Sequence, residues 1–413
     1  MRTVWIINHY AQVPGGPGGT RHFQIAKVLR NLGWNPIVIA ASSEHNTGFQ
    51  RLSPSENSRL DVIDSVPFLW LRTPVSQGNG IRRIFNMLVF SCRLLGPAPR
   101  RLLPVPDIIV GSSVHLFAVW SALRLAIRFQ IPFVFEVRDL WPQTLIDFGL
   151  IKSQSLLARL LRSLEEHLYS RATAIVTLLP FAHCYIQPLG ISASKICWIP
   201  NGIDLSAWPK TISSPPAGST LQLMYFGSFG QANALENIVL AMEELMKRGD
   251  SPAVHLRLIG DGPLKASLVL MVKDLGIANI TFEDPVPKNK IPELAKDADV
   301  FLLSLVDSPL YKYGISLNKI YDYMAGARPI IICSSASNNP ILEANSGITV
   351  PPAAPHALAD AIVNISSLSL EERRRMGIAG REYVEANHSS ELIGRRFADV
   401  LERCLLRHQK AFG

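Results

Sequence analysis

The chain has 413 residues, of which 48% are hydrophobic and 18% charged, a composition that excludes a disordered protein and suits two domains of about 200 residues each. Its 41 Lys and Arg residues outnumber its 33 Asp and Glu residues, and the excess lies in residues 1–205, which hold 20 basic and 11 acidic side chains and are expected to meet something anionic. The five scattered cysteines include no Cys-x-x-Cys pair, so they favour reduced thiols over a disulfide framework or a zinc site. No stretch reads as a signal peptide or reaches the roughly 18 apolar residues of a membrane-spanning helix, so we expect a cytoplasmic protein.

The first half of the chain alternates short apolar runs with helical patterns. Its predicted strands are residues 4–10, 36–42, 68–73, 107–113, 132–139 and 174–180. Several are apolar without polar alternation, as in parallel strands that are covered on both faces. Helical patterns such as Thr20 to Asn31 lie between them, and this alternation predicts a doubly wound parallel sheet.

The same pattern restarts after a segment rich in Ser, Pro and Gly, Thr211 to Ser219, which we interpret as a linker. The later predicted strands are residues 221–228, 254–262, 279–286, 299–305 and 328–334. We therefore expect an α/β protein with two Rossmann-like domains, residues 1–205 and 206–385, that face a central cleft at the carboxyl ends of their strands. The closing helical region, residues 386–413, is expected either to pack back on the first domain or to stay on the second as a peripheral helix.

A glycine-rich loop follows the first predicted strand. It runs from Gly15 and Gly16 to Gly19 and leads through Thr20 and Arg21 into a helix. Glycines let a backbone approach a ligand closely, and the free N–H groups at a helix start attract anions. Arg21 replaces the third glycine of a dinucleotide fingerprint, and no Gly-Lys-Ser/Thr follows, so neither that fingerprint nor a P-loop is indicated. The loop predicts ligand binding by the backbone, with a flexible surface loop as the alternative.

Polar side chains end two later strands of the first half. His115 follows the strand at 107–113, where an imidazole can bind a sugar hydroxyl or polarise a leaving group, and a structural histidine is the alternative. Glu136, Arg138 and Asp139 close the strand at 132–139, and charges there need partners or solvent. A ligand-facing cluster and a structural ion pair of Arg138 with Glu136 or Asp139 both remain open.

Two features of the second half point to a nucleotide. Leu258 to Pro263 form a tight turn after a strand, either as simple turn chemistry or as the wall of a pocket. Within Tyr311 to Pro329, Lys319 and Asp322 share one face of a predicted helix, whose start carries Ser316 and Asn318 as possible caps. Lys319 can oppose a diphosphate and Asp322 can hold two ribose hydroxyls, whereas a solvated Lys–Asp pair is the alternative.

In their order along nearly the whole chain, these motifs resemble those of the retaining GT-B glycosyltransferases, and within that family the enzymes that build O-antigen and capsule repeats. The motifs are the early glycine loop with Arg21, IPNGID at 199–204, IGDGP at 259–263 and DYMAGARP at 322–329. The resemblance implies a GT-B fold and donor-binding roles for Gly15, Gly16, Gly227, Ser228, Gly260, Pro285, Val286, Ser316, Asn318, Lys319 and Asp322. It implies catalytic roles for His115, Arg138, Asp139 and Lys319, and acceptor-side roles for Arg21 and Glu136.

Two positions depart from the family pattern. Gly314 stands where the family has the first of two acids, and Ser316 to Lys319 instead fits a Ser-x-x-Lys variant. The Arg and Lys that often follow the first strand of the second domain are missing from residues 227–241, so Lys319 is expected to take the phosphate role.

The resemblance implies transfer of a hexose or an N-acetylhexosamine from a nucleotide diphosphate to a lipid-linked saccharide, with retention. By likeness to the polysaccharide enzymes the donor is expected to be a UDP-sugar, and a GDP-sugar is the alternative. No Asp-x-Asp motif is present, so neither a metal nor another cofactor is expected. A GT-B-like UDP-sugar epimerase and a catalytically inactive partner subunit are the alternatives. Nucleic acid is not an expected partner, because known binding motifs and aromatic stacking platforms are not apparent.

One segment of the basic half, residues 81–104, mixes arginines with Phe, Met and Leu. Its arginines are Arg82, Arg83, Arg93, Arg100 and Arg101. A basic amphipathic segment of this kind predicts peripheral contact with an anionic membrane, here the cytoplasmic face of the inner membrane. A solvated helix with ordinary core contacts is the alternative.

Overall fold

The computed structural model describes residues 1–16, 19–44, 47–76, 80–209, 220–249 and 251–412. The predicted linker, Thr211 to Ser219, and two residues of the glycine loop, Pro17 and Gly18, lie outside these ranges. Contacts within the chain divide it into two compact units, residues 1–201 with 390–413 and residues 202–389. The sequence-based boundaries, at 205/206 and 385/386, lie a few residues away from these.

Eight strands form the sheet of the first unit. They are β1 (Thr3–Ile7), β2 (Asn35–Ala41), β3 (Ser58–Ile63), β4 (Val66–Leu71), β5 (Ile108–Ser112), β6 (Phe133–Val137), β7 (Ala174–Thr177) and β8 (Ile196–Trp198). Their order is β3-β4-β2-β1-β5-β6-β7-β8, and every neighbouring pair is parallel except β3 with β4. The strand order reverses between β1 and β5, the place where doubly wound sheets bind ligands.

Helices cover both faces of this sheet. Those of residues 1–201 are α1 (Arg21–Asn31), α2 (Ile81–Leu95), α3 (Pro97–Leu102), α4 (Leu116–Phe129), α5 (Gln143–Asp147), α6 (Leu156–Arg171) and α7 (His183–Ile186). Val4 and Ile6 of β1 share a core with α1, whereas the Trp5 ring on the other face lies 5.6 Å from Phe129 of α4. Burial on both faces explains why the central strands are apolar at every position.

The second unit contains a six-stranded sheet and seven helices within its described residues. Its strands are β9 (Leu221–Phe226), β10 (Val254–Ile259), β11 (Ile280–Glu283), β12 (Val300–Ser304), β13 (Ile330–Cys333) and β14 (Gly347–Val350). Its helices are α8 (Leu235–Lys247), α9 (Lys265–Asp274), α10 (Ile291–Leu294), α11 (Asn318–Ala325), α12 (Pro340–Glu343), α13 (Pro355–Ser367) and α14 (Leu370–His388). The all-parallel order β11-β10-β9-β12-β13-β14 is the 3-2-1-4-5-6 order of Rossmann-type sheets, with its reversal between β9 and β12.

The last helix, α15 (Ser390–Phe412), belongs to the first unit and packs along α1. Ile393, Phe397 and Leu401 join the apolar core around β1. A Cβ added at Gly394 would lie 2.4 Å from the Val28 Cβ, so the glycine permits the close approach of the two helices. None of the helices in the described ranges is long and apolar enough to cross a membrane.

Candidate active site

The loops that follow β9 and β10 lie against each other through glycine. Gly260 has a φ of +147°, and a Cβ added to it would lie 1.9 Å from the carbonyl oxygen of Gly227. The Gly227 N–H donates to the Ile259 carbonyl at 3.0 Å, and the Phe229 N–H donates to the Asp261 carbonyl at 2.8 Å. The backbones of the two strand ends are therefore held together at the sheet edge where ligands of this fold bind.

Lys319, in the first turn of α11, points back to the end of β9. Its Nζ donates to Tyr225 Oη at 2.9 Å and to Asn233 Oδ1 at 2.5 Å, and lies 4.8 Å from the centre of the Tyr225 ring. The Tyr225 hydroxyl donates to the Ser228 carbonyl at 2.7 Å, and Asn233 Nδ2 donates to the same oxygen at 2.7 Å. Two neutral side chains therefore position both the Lys319 ammonium and the loop that begins at Gly227. Sequence reasoning missed Tyr225 and Asn233.

The Lys319 ammonium forms no ion pair with a carboxylate among the residues that the structure describes. Asp322, three residues later, is instead 3.8 Å from the Nζ of Lys288. Burial lowers the pKa of Lys319 to about 7. Tyr225 and Asn233 accept hydrogen bonds from it but supply no negative charge to offset this burial. An anionic ligand at this nitrogen would supply that charge.

The N-cap residue of α11 is Leu317, one position from each of the predicted caps Ser316 and Asn318, and it makes no side-chain cap hydrogen bond. Farther along, the Tyr323 hydroxyl donates to the Phe226 carbonyl and accepts from the Phe226 N–H, both at 3.0 Å. The helix is thus tied to β9 by its middle while its first N–H groups lack a side-chain cap, a geometry that favours an anion.

Asp322 lies on α11 and faces the loop after β11. Only 13% of its side chain is exposed, and this burial raises its pKa although the Lys288 ammonium acts in the opposite direction. Pro285, which is exposed, and Val286, which is half-buried, precede Lys288 in the same loop. The Lys288–Asp322 pair therefore brings the loop of Pro285 and Val286, which are predicted to bind the donor, to the helix that carries the predicted ribose-binding carboxylate.

In the first unit, two buried histidines meet where β1 and β5 end. His9 Nδ1 and His115 Nε2 are 2.7 Å apart, and the Ala118 N–H donates to His115 Nδ1 at 3.2 Å, which caps α4. Burial, with a smaller effect of Arg83, lowers the pKa of His115 to about 3, so its ring is neutral. Because Nδ1 accepts, Nε2 carries the proton and donates to His9. Both nitrogens of His115 are engaged within the protein, and its contact with the sugar stays a prediction. The sequence reasoning missed His9.

Arg21 and Glu136, predicted to lie on the acceptor side, form a buried ion pair with each other. Arg21 Nε donates to Glu136 Oε1 at 2.8 Å, and His22 Nε2 lies 2.6 Å from Oε2. Burial alone would raise the pKa of Glu136, but the neighbouring Arg21 and His22 hold it well below its usual range. Arg21 also donates to the Ile199 carbonyl at 3.0 Å. These buried side chains tie α1 to the sheet and to the segment after β8, and their acceptor-side role stays a prediction.

Arg138 and Asp139 lie beyond the end of β6 and outside that pair. Arg138 is half-buried, and its backbone N–H donates to the Oγ of Ser113 at 3.0 Å. Asp139 is exposed. Within the described parts of the chain, Arg138 forms no direct ion pair with Glu136 or Asp139, and Glu136 pairs with Arg21 instead. Arg138 and Asp139 thus remain as the accessible members of the predicted charged cluster.

Arg83 points inward from α2, although the sequence placed it in the membrane-facing segment. Its guanidinium lies 5.8 Å from the centre of the Tyr10 ring and hydrogen-bonds that phenol. It also contributes to the low pKa of His115. The helical spacing of Arg83 with the buried Met87 and Phe90 was the available signal. Arg83 therefore joins the candidate residues of the first unit.

The described part of the glycine loop shows conformation but no ligand contact. Gly15 has a φ of +85° with open space around it, and a Cβ on Gly16 would lie 3.2 Å from Gln12 Oε1. A left-handed φ, rather than lack of space, therefore favours glycine at position 15. No group of three or more His, Cys, Asp or Glu side chains in the described chain is arranged to hold a metal ion. Metal independence stays a prediction.

Both halves of the chain match glycosyltransferase families. Residues 17–202 match the glycosyl transferase 4-like domain, and residues 220–367 match the glycosyl transferases group 1. The probable glycosyltransferase WbjE of Pseudomonas aeruginosa is 25% identical over 427 residues, which cover 99% of this chain and 100% of WbjE.

Solved structures share the fold at low sequence identity. Sucrose-phosphate synthase from Thermosynechococcus elongatus has a TM-score of 0.75 and 17% identity, covering 98% of this chain and 100% of its own. HepE of Anabaena, in complex with UDP and glucose, has a TM-score of 0.65 and 13% identity, covering 97% of this chain and 99% of its own. The predicted GT-B fold is confirmed by these likenesses and by the two doubly wound sheets. The chain belongs to the GT-B glycosyltransferases, and in it a glycosyl transferase 4-like domain is followed by a group 1 domain.

Proposed function

We propose that this glycosyltransferase moves a hexose or an N-acetylhexosamine from a UDP-sugar to a lipid-linked saccharide, with retention, in the synthesis of a bacterial surface polysaccharide. The observation that carries the donor part is Lys319, a cation held by neutral side chains at the uncapped start of α11. HepE, solved with UDP and glucose on the same fold, supports UDP as the nucleotide. The motif order shared with O-antigen and capsule enzymes supports the polysaccharide.

In this proposal the diphosphate lies between Lys319 and the glycine loops. The ammonium and the first N–H groups of α11 offer charge and hydrogen bonds to the phosphate oxygens, and Ser316 and Asn318 add polar groups at the same helix start. Gly227, Ser228 and Gly260 let the phosphates approach the backbone closely. Asp322 holds the ribose hydroxyls, and Pro285 and Val286 flank the base.

Catalysis rests on charge stabilisation and positioning. As the bond between the anomeric carbon and the diphosphate breaks, negative charge grows on the departing phosphate oxygen, where Lys319 stabilises it more than in the ground state. On the acceptor side, the exposed Asp139 carboxylate can accept the proton of the attacking hydroxyl, and Arg138 can orient the saccharide. His115 acts by fixing the ring of His9.

Calorimetric titration with UDP tests the donor part. Lys319→Ala removes a charge-assisted contact and is expected to weaken UDP binding about tenfold or more. Lys273→Ala, which removes an exposed lysine of α9, should leave the affinity unchanged. Equal affinity in both variants contradicts the proposal. With UDP-sugars as substrates, turnover without any acceptor would identify an epimerase, and the absence of both binding and turnover an inactive subunit.

Helix α2 is further proposed to lie on the cytoplasmic face of an anionic membrane. Four residues of α2 form one exposed apolar row, here called the α2 stripe: Ile81, Ile84, Phe85 and Leu88, which are between 42% and 86% exposed. One of the arginines predicted to bind lipid, Arg83, points inward instead, whereas Arg93 is held by Asn57 through one nitrogen only. Arg82, Arg100 and Arg101 remain exposed near the stripe. Apolar and basic groups on one helical segment suit a lipid interface.

A further inference from the structure

A hollow of about 380 Å³ lies in the first unit between the segment after β4 and helix α2. Its apolar wall is formed by Pro74, Val75, Phe85 and Val89, and two arginines, Arg72 and Arg93, stand beside it. Its volume falls at the lower end of the roughly 300–1,000 Å³ range of ligand pockets. We call it the α2 hollow.

The apolar wall of the α2 hollow is open to solvent. Phe85 is 58% exposed and Val75 is 45% exposed, and Phe85 and Val89 lie one turn apart on the same side of α2. Phe85 belongs both to the hollow and to the α2 stripe, so the apolar surface continues from one to the other. Removing this surface from water would favour a hydrocarbon ligand.

The two arginines are anchored by one nitrogen each. Arg72 Nη1 donates to the Glu56 carbonyl at 3.1 Å and to the Ser53 carbonyl, and Arg93 Nη1 donates to the carbonyl and the side-chain oxygen of Asn57 at 3.1 and 3.0 Å. Neither arginine forms an ion pair with any carboxylate in the described ranges, and the Nε and Nη2 donors of both have no protein partner there.

The neighbouring arginines are different. Arg51 pairs with Glu44, and Arg59 pairs with Asp61. Among these four, only the arginines of the hollow have no carboxylate partner in the described ranges. A guanidinium that is fixed at one nitrogen and presents its other donors is suited to a phosphate, which accepts two parallel hydrogen bonds from it.

We propose that the α2 hollow binds the lipid-phosphate part of the acceptor, an inference that rests on the proposed lipid-linked acceptor. The hydrocarbon chain lies on Phe85 and Val89, and the phosphate is held by Arg72 and Arg93. Free phosphate would leave the apolar wall in water, and a neutral hydrocarbon would leave both guanidiniums without an anion. Because the α2 stripe and the hollow share Phe85, a chain anchored in the bilayer reaches the hollow without crossing a polar surface.

Binding of dodecyl phosphate below its micelle concentration tests the hollow directly with the full-length protein. Inorganic phosphate and dodecyl maltoside serve as probes that lack the chain or the charge, and both are expected to bind about tenfold or more weakly. Val89→Trp fills the hollow and Arg93→Gln removes its charge, so each should weaken dodecyl phosphate binding about tenfold or more. The matched variants Ile127→Trp and Arg128→Gln, at exposed positions of α4 outside the hollow, should keep the wild-type affinity.

Three results would overturn the inference: wild-type affinity in Val89→Trp or Arg93→Gln, equal losses in the matched variants, or equally tight binding of inorganic phosphate or dodecyl maltoside. Thermal unfolding of each variant confirms that it is folded. UDP titration of the wild-type protein separates the two proposals, because failure to bind UDP refutes the donor site while leaving the dodecyl phosphate result to stand by itself. Vesicle flotation, which reports the α2 stripe, separates membrane attachment from occupation of the hollow.

Discussion

Raising the pH above neutrality should weaken UDP binding through Lys319. Its pKa is about 7 in the free protein, against an ordinary value of 10.5, because burial disfavours the charged ammonium. About half of the Lys319 side chains are then charged at pH 7 and about one in a hundred at pH 9. If the diphosphate binds the charged form, its affinity falls about 50-fold between these two pH values. The phosphates themselves add little to this slope, since their last ionisation occurs near pH 6.

Calorimetric titration of UDP between pH 7 and pH 9 measures this slope, and titration at pH 8 in two buffers of different ionisation enthalpy measures an uptake of about 0.9 proton per UDP. Lys319→Gln should bind UDP weakly, and Lys319→Arg should bind UDP more tightly than Lys319→Gln. The UDP affinity of neither variant should depend on pH between 7 and 9, because neither side chain titrates in this range. An unchanged slope in Lys319→Gln, or a wild-type affinity that does not depend on pH, would refute the assignment.

The same pKa shift acts on stability in the opposite direction. Because the pKa of Lys319 is lowered on folding, the unfolded chain binds more protons between about pH 7 and pH 10.5, and the stability of the ligand-free protein rises with pH across that window. Chemical unfolding without UDP should therefore show this rise in the wild type and a smaller one in Lys319→Gln.

Other variants probe the framework around the sites. Gly260→Ala forces a Cβ against the Gly227 carbonyl at a positive φ and should lower the free energy of unfolding by about 3 kcal/mol or more, compared with about 1 kcal/mol for Gly276→Ala, whose φ is also positive but whose Cβ meets open space. Arg21→Met leaves Glu136 buried without its main cation and should lower the free energy of unfolding in urea by about 3–5 kcal/mol. An exposed arginine that only contacted the acceptor would not show such a loss. Leu88→Ser should reduce flotation with anionic vesicles at low salt, whereas unchanged flotation would contradict the role of the α2 stripe. Transfer activity should survive EDTA, and a loss reversed by a divalent ion would show that a metal is required.

Most strands that could be read from the sequence are buried along their length, although β11, a partly buried edge strand, was also found. The three that were missed, β3, β8 and β14, are short or lie at sheet edges, where burial is incomplete. The buried strand β6 was found, but the direction of Glu136 was not, because an apolar strand that ends in three charges does not reveal which of them turns inward.

The residues of the proposed donor site could partly be predicted because they lie close together along the chain. Lys319 and Asp322 lie on one helix, and Gly227 and Gly260 end consecutive strands. Asn233 could not be assigned in the same way, since its role depends on a hydrogen bond to a side chain 86 residues away. The contact between His9 and His115 spans 106 residues and follows from the adjacency of β1 and β5, which strand prediction alone does not supply.

The path of the chain through the first unit constrains the order in which it can be completed on the ribosome. Helix α15 brings Ile393, Phe397 and Leu401 into the core around β1, yet residues 202–389 must be synthesised before it emerges. The nascent first unit therefore exposes the apolar face of α1 until α15 has been synthesised, which leaves that face open to aggregation. A truncated chain ending at residue 201 should be prone to aggregation, while residues 202–389 have all their own strands available earlier. Although it comes later in the sequence, the second unit is thus the first that can fold to completion.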